Sequence, residues 1–250
     1  EMEISVDEGE SADMVVGRLQ SVGLVEDGEL LLDYMRYRGF DRGIEVGSHL
    51  ISGGMTPRDI ADQLQSAASL DVRVTIPEGW RMEQTAAKLA SELQISETAL
   101  LEEMRQRPEG YLFSDFLPAD ASCEGFLFPD TYSFSPGTSA DEAVAAMLSN
   151  FETRLTEELV VGFLAQELSI YEAVVLASII EREAVVSEER PQIAGVFLNR
   201  LDRQMKLETD PTVQYAIGQQ ADGRWWKQQL TYDDLAFVSP YNTYVSDGLP

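Results

Sequence analysis

Val72-Arg73-Val74-Thr75-Ile76-Pro77-Glu78-Gly79-Trp80 leads through Arg81 into Met82-Glu83-Gln84-Thr85-Ala86-Ala87-Lys88-Leu89-Ala90-Ser91-Glu92-Leu93. Val72, Val74 and Ile76 alternate with polar residues, the period-2 pattern of a strand with one buried face. Pro77-Glu78-Gly79 is turn chemistry: proline presets φ and glycine accepts a left-handed conformation. Beyond the turn, Ala86, Leu89, Ala90 and Leu93 recur at the spacing of one helical face. The same order is found upstream. Residues 43–51 read as extended, and Thr56-Pro57 opens a helix through Leu64, with threonine as N-cap and proline at the first position. These are two imperfect copies of a βα unit that recurs in small carbohydrate-binding modules.

Outward from this cassette the pattern becomes helical. Ile4 and Val6 mark a short first strand. Residues 13–22 follow as a helix with Met14, Val15 and Leu19 on its stripe, and residues 30–37 form a second. Ser96 starts a helix that runs to about Arg107. Residues 141–151 are helical. Ser169 with Glu172 is a capping box ahead of a strongly apolar helix. Ser187 caps the next, with Ile193, Val196, Phe197 and Leu201 as its buried stripe. Asp210-Pro211 reads as N-cap and first position of a short helix that Gly218 stops, and Thr231 to Asp234 resembles another cap. Residues 239–250 form a polar, aromatic loop. The expected fold class is α+β, with small strands early and a mostly helical region later.

Composition excludes several classes. In 250 residues, 44 Asp and Glu oppose 18 Lys and Arg, for a net charge of -26. Such a surface repels phosphates, so no nucleic-acid partner is expected. With 44% hydrophobic residues the chain can build a core. The single cysteine, Cys123, cannot form an internal disulfide. The single histidine, His49, excludes His-rich zinc sites and any Ser-His-Asp triad built away from position 49; it reads as structural or surface. No phosphate-cradling glycine loop, Cys-x-x-Cys, His-Glu-x-x-His or nucleophile elbow occurs. No apolar run approaches the roughly 18 residues of a membrane span. The first residue, Glu1, and the last three, Gly248-Leu249-Pro250, read as interrupted, so a fragment of a longer protein is expected.

The helix over residues 170–184 carries the sharpest chemical signal. Val175, Leu176, Ile179 and Ile180 form its apolar stripe, and Glu183 continues that stripe three and four residues on. Glu181 is turned away by about 200° at helical spacing. A carboxyl group at the end of an apolar stripe is desolvated, which favours its neutral form, as a general acid in glycoside cleavage requires. A solvated acid at a fraying helix end has the same spacing. Glu208 and Asp210 flank Thr209, where Asp210 also suits a plain cap. Tyr241-Asn242-Thr243-Tyr244 offers aromatic and amide groups to a sugar ring, or forms an ordinary turn. Glu124 opens Glu124-Gly125-Phe126-Leu127-Phe128-Pro129-Asp130-Thr131-Tyr132, an acid-bearing aromatic run that could equally be a core strand and turn.

Taken together these segments resemble the endolytic murein transglycosylases of the YceG-like family. The matching stretches are Thr75-Ile76-Pro77-Glu78-Gly79-Trp80, Glu124 to Tyr132, Ala177-Ser178-Ile179-Ile180-Glu181-Arg182-Glu183-Ala184, Ala194-Gly195-Val196-Phe197-Leu198-Asn199-Arg200-Leu201, Leu207 to Tyr215, and Tyr241 to Tyr244 with Gly248-Leu249-Pro250. The resemblance implies a LysM-like N-terminal subdomain over residues 1–70, a second LysM-like βα unit and linker over 71–122, and a catalytic domain over 123–250 whose C-terminal part is missing. It implies that Glu183 is the acid/base residue. Glu124, Asn199, Glu208, Asp210, Tyr241, Asn242 and Tyr244 would bind substrate, and no metal or cofactor would take part. The substrate would be peptidoglycan glycan strands, cut between N-acetylmuramic acid and N-acetylglucosamine to leave a 1,6-anhydro end. The protein would be tethered by an N-terminal membrane anchor, absent here, to the extracytoplasmic face of the bacterial plasma membrane, near cell-wall synthesis proteins. A hydrolytic muramidase using Glu208 or Asp210 as second carboxylate, and a non-catalytic peptidoglycan-binding module, remain open at this point.

Overall fold

The computed structural model describes residues 2–7, 9–65 and 71–250. The expected boundary near residue 70 lies outside the described residues. Two compact units divide the chain, residues 1–72 and residues 73–250. The architecture is α+β, with two small two-stranded sheets among the helices.

In the first unit the order is β1 (Met2–Val6), α1 (Ala12–Ser21), α2 (Gly28–Arg38), β2 (Gly47–Ile51) and α3 (Pro57–Gln63). β1 and β2 pair antiparallel, with Met2 opposite Ile51 and Val6 opposite Gly47. Ile4, Val6 and Ile51 turn inward onto Val15, Val16, Leu19, Leu31 and Met35. Met14, expected on the buried stripe of α1, is exposed, and Val16 takes its place. Thr56 and Asp59 complete a reciprocal capping box at α3. His49 is structural: it is fully buried, and its ring nitrogens meet the carbonyls of Gln63 and Glu45 at 2.9 and 2.8 Å.

β3 (Val72–Thr75) begins at the boundary and leads into the second unit, followed by α4 (Met82–Leu93), α5 (Glu97–Met104) and β4 (Thr131–Phe134). β3 pairs with β4. The Thr75 and Thr131 hydroxyls meet at 2.9 Å, and the Ile76 N–H donates to the Asp130 carbonyl at 2.9 Å, so the pairing steps in opposite directions along the two chains. Each sheet therefore brackets two helices, in the order β-α-α-β. The two strand-turn-helix segments read from the sequence are present as β2–α3 and β3–α4, with β2 closing the first β-α-α-β run and β3 opening the second.

Then come α6 (Ala140–Arg154), α7 (Glu157–Ala165), α8 (Ile170–Glu183), α9 (Arg190–Asp202), α10 (Asp210–Ile217) and α11 (Tyr232–Leu235). The Ser169–Glu172 capping box starts α8 as expected. Leu176 and Ile179 of α8 pack with Phe197 and Leu207 into a local core. Val196, expected in the stripe of α9, is exposed. The N-cap of α10 is Thr209 rather than Asp210, which is the first helical residue, with Pro211 following it inside the first turn. No single helix among the described residues is long and apolar enough to cross a membrane.

Candidate active site

α8 presents two different polar faces near its C-terminal end. One faces a cleft of about 440 Å³ walled by the Pro77–Met82 turn, the 120–129 loop, α8 and the start of α10. The Phe126 side chain anchors the 120–129 wall. It is buried, stacks on Phe113 at 5.4 Å and meets Phe151 edge-on at 5.1 Å. Gly125 beside it has φ +84°, and a Cβ there would lie 2.9 Å from Val174 Cγ1 of α8, so only glycine allows this approach. Gly79 (φ +71°) brings the opposite turn to the Glu181 carboxylate and the Arg182 guanidinium.

Aromatic faces line this cleft: Trp80, Tyr171, Tyr215, Trp226 and Tyr241. Tyr215 and Tyr241 meet edge-on at 5.1 Å. The Arg182 guanidinium lies 3.9 Å over the Trp226 ring. Arg81, nearly fully buried, lies 4.0 Å over Tyr215 and 4.8 Å over Trp225, pairs with Glu83 at 3.1 Å and donates to the Tyr215 carbonyl at 2.9 Å. All three tryptophans of the chain thus sit at or directly beside this cleft. Two acids share it. Burial pushes the Glu124 carboxyl up to about 7, although it accepts a 2.8 Å bond from the Met82 N–H. Burial, reinforced by the charge of Glu78, also raises Glu181.

Glu183 faces elsewhere. Its Oε1 accepts a hydrogen bond from the Thr209 hydroxyl. Thr209, Thr212 and Thr243 are all buried and mutually bonded: the Thr209 N–H donates to Thr243 Oγ1 at 3.2 Å, and the Thr212 and Thr243 hydroxyls meet at 2.8 Å. Tyr244 donates to Asp210 at 2.8 Å. Burial first, then the Asp210 bond and the charges of Asp210, Glu183 and Glu208, push the Tyr244 hydroxyl up to about 12. Glu208 is exposed, lies 3.6 Å from Arg200, and holds a left-handed φ of +49°.

The structure thus gathers Glu183, Glu208, Asp210 and Tyr244 on one side of α8, and Glu124 and Tyr241 in the aromatic cleft on the other. Two of the expected substrate residues lie apart from both groups. Asn242 is fully buried; its amide donates to the Leu235 and Phe237 carbonyls at 3.0 and 2.7 Å and its oxygen accepts from the Tyr244 N–H, so it shapes its own loop instead of facing a sugar. Asn199 lies on a separate groove formed by α9, the α7–α8 turn and residues 248–250. The apolar cleft expected in front of Glu183 is lined instead by Glu181, on the Ala177 and Ser178 side of the helix. Sequence reading also missed Arg81, Tyr215 and Trp226. Their signal was adjacency: Arg81 follows the Pro-Glu-Gly-Trp turn, and Tyr215 ends the Leu207–Tyr215 motif.

The YceG-like family model matches residues 4–250. The endolytic murein transglycosylase of Bacillus subtilis is 31% identical over 98% of this chain and 70% of its own. That of Streptococcus pneumoniae serotype 2 is 26% identical over 98% of this chain, which spans about half of its length (48%). A crystal structure of a YceG-like protein from Listeria monocytogenes superposes with a TM-score of 0.63 and 27% identity, covering 100% of this chain and 84% of that one. A match of this extent, by family model and by relatives alike, means that this chain belongs to the YceG-like family.

Proposed function

We propose that the chain is an endolytic lytic transglycosylase of peptidoglycan. It cuts the β-1,4 bond between N-acetylmuramic acid and N-acetylglucosamine inside glycan strands and leaves a 1,6-anhydro-muramic end. The observation that carries the reading is the part-buried Glu183 carboxyl at the end of α8, held by the Thr209 hydroxyl among Glu208, Asp210 and Tyr244. Glu183 protonates the leaving oxygen as the bond at C1 breaks. As carboxylate it then takes the proton of the sugar's own 6-hydroxyl, whose oxygen closes on C1. One carboxyl group suffices, because the nucleophile belongs to the substrate. Asp210, Tyr244 and Glu208 orient the sugar at this centre. Glu124 and Tyr241 bind a further part of the strand in the aromatic cleft, where ring faces suit the apolar faces of sugars.

Residues 1–70 serve as a LysM-like glycan-binding subdomain and 71–122 as a second such unit and linker. The β-α-α-β runs support this, with the second run closed by β4 of the catalytic region, residues 123–250. The reading puts the protein at the extracytoplasmic face of the plasma membrane, anchored there, with cell-wall synthesis proteins as partners. Mass spectrometry of purified strands digested by the protein and by Glu183→Gln tests the assignment. Anhydro ends that disappear in Glu183→Gln are expected. Reducing ends would make it a hydrolase, and binding without any cleavage would make it a binding module.

A further inference from the structure

We infer that Thr209 is a positioning residue for the reaction proposed above, on which this inference rests. Its hydroxyl fixes Oε1 of Glu183 as an acceptor and leaves Oε2 as the oxygen that gives and retakes the proton.

Thr209, Thr212 and Thr243 are each at most 4% exposed, so water does not satisfy their hydroxyls. Thr212 donates its only hydroxyl proton to the Thr209 carbonyl at 2.7 Å. In the 2.8 Å contact between Thr212 and Thr243, Thr243 is therefore the donor. Thr212 Oγ1 also accepts from the Thr243 N–H at 3.3 Å, and Thr243 Oγ1 accepts from the Thr209 N–H at 3.2 Å. The protons of these two hydroxyls are then committed. The Thr209 proton has Glu183 Oε1 as its acceptor. A buried donor left without an acceptor is costly, whereas a spare lone pair is tolerated, so Thr209 donates whether Glu183 is charged or neutral. In the neutral acid, the oxygen that accepts is the carbonyl oxygen, and the acidic proton sits on Oε2.

Backbone geometry supports the same role. Glu208, directly before Thr209, holds the left-handed conformation that residues other than glycine rarely adopt, and its N–H donates to the Thr243 carbonyl at 3.2 Å. The chain is thus bent to aim Thr209 at α8 and pinned by the 243 loop. In the reaction the Oε2–H bond breaks and its proton goes to the glycosidic oxygen as the C1–O bond opens. The 6-hydroxyl oxygen then bonds C1, and its proton returns to Oε2. Protons and electrons balance, and Oε1 stays with Thr209 throughout.

The test compares Thr209→Ser with Thr209→Ala. Both lose the same buried methyl group, and only alanine loses the hydroxyl, so equal packing damage cancels. kcat and KM on purified glycan strands are measured with the melting temperature of each variant. Thr209→Ser is expected to keep most of kcat, and Thr209→Ala to fall about 10²-fold below it, with KM nearly unchanged, because misplacing a reacting group costs of that order. Equal kcat in the two variants, or a loss confined to KM, overturns the inference. Glu183→Gln in the same assay separates the two claims. Normal turnover there sinks the catalytic assignment and this inference with it, whereas an inactive Glu183→Gln beside equal Ser and Ala variants sinks only the role of Thr209.

Discussion

Glu124, Glu181 and Glu183 are three part-buried acids within one unit, and their partners separate them. Glu183 has a hydroxyl donor, so replacing it with the nearly isosteric glutamine should preserve the fold while lowering cleavage by about 10²–10⁴-fold, the usual weight of a general acid. Glu181→Gln should leave most turnover intact, and the pair is read by initial rates on the same strands. Glu124 instead faces burial and one backbone donor. Its folded value of about 7 lies above the ordinary 4.5, so the folded state holds this proton more tightly than the unfolded chain. Its contribution to stability is complete below about 4.5 and is lost as pH rises through about 7. Glu124→Gln keeps an acceptor for Met82 and cannot ionise, so its melting temperature should fall less between about pH 5 and about pH 8 than that of the unaltered protein. An identical fall in both would remove Glu124 as the cause. At this scale spacing alone singled out Glu183, because 100° per residue fixes which side chains share a helical face. It could not show that the aromatic cleft lies on the Glu181 side, since the Gly79 turn and the 120–129 loop reach α8 from distant parts of the chain.

Helix starts were legible where the signal is local. Thr56 with Asp59, Ser169 with Glu172 and Thr231 with Asp234 each form the reciprocal box that their three-residue spacing announces. β4 and α7 went unseen for opposite reasons. β4 is four residues whose strand geometry exists through pairing with β3, and β propensity is a property of context. α7 has no buried residue, so Leu159-Val160-Val161-Gly162-Phe163-Leu164 offers no single stripe to recognise. The approach of the 120–129 loop to α8 depends on Gly125. Gly125→Ala places a Cβ in a left-handed backbone and against Val174, and should destabilise the unit by about 1–3 kcal/mol. Denaturant titration checks it, and a change within about 0.5 kcal/mol, the ordinary range of surface substitutions, would show that the loop moves away freely.

The net charge of -26 acts on the molecule as a whole. Like charges repel more in the compact state than in the expanded chain, and salt screens that repulsion over a Debye length of about 10 Å at 0.1 M. The melting temperature should therefore rise from about 10 mM to about 0.5 M sodium chloride; a fall would mean that specific ion pairs outweigh the net repulsion. Whole-chain composition gave this property directly, whereas the β-α-α-β pairing of distant strands did not follow from composition or local periodicity. The placement of Trp80, Trp225 and Trp226 has an optical consequence. Residues 1–72 contain no tryptophan, and all three indoles border one cleft with two guanidinium groups stacked on them. Fluorescence excited at the red edge of the indole band is therefore blind to the first unit and reads the second alone. A change in emission when a glycan is added, with no change in helical ellipticity, is a direct signal from that cleft.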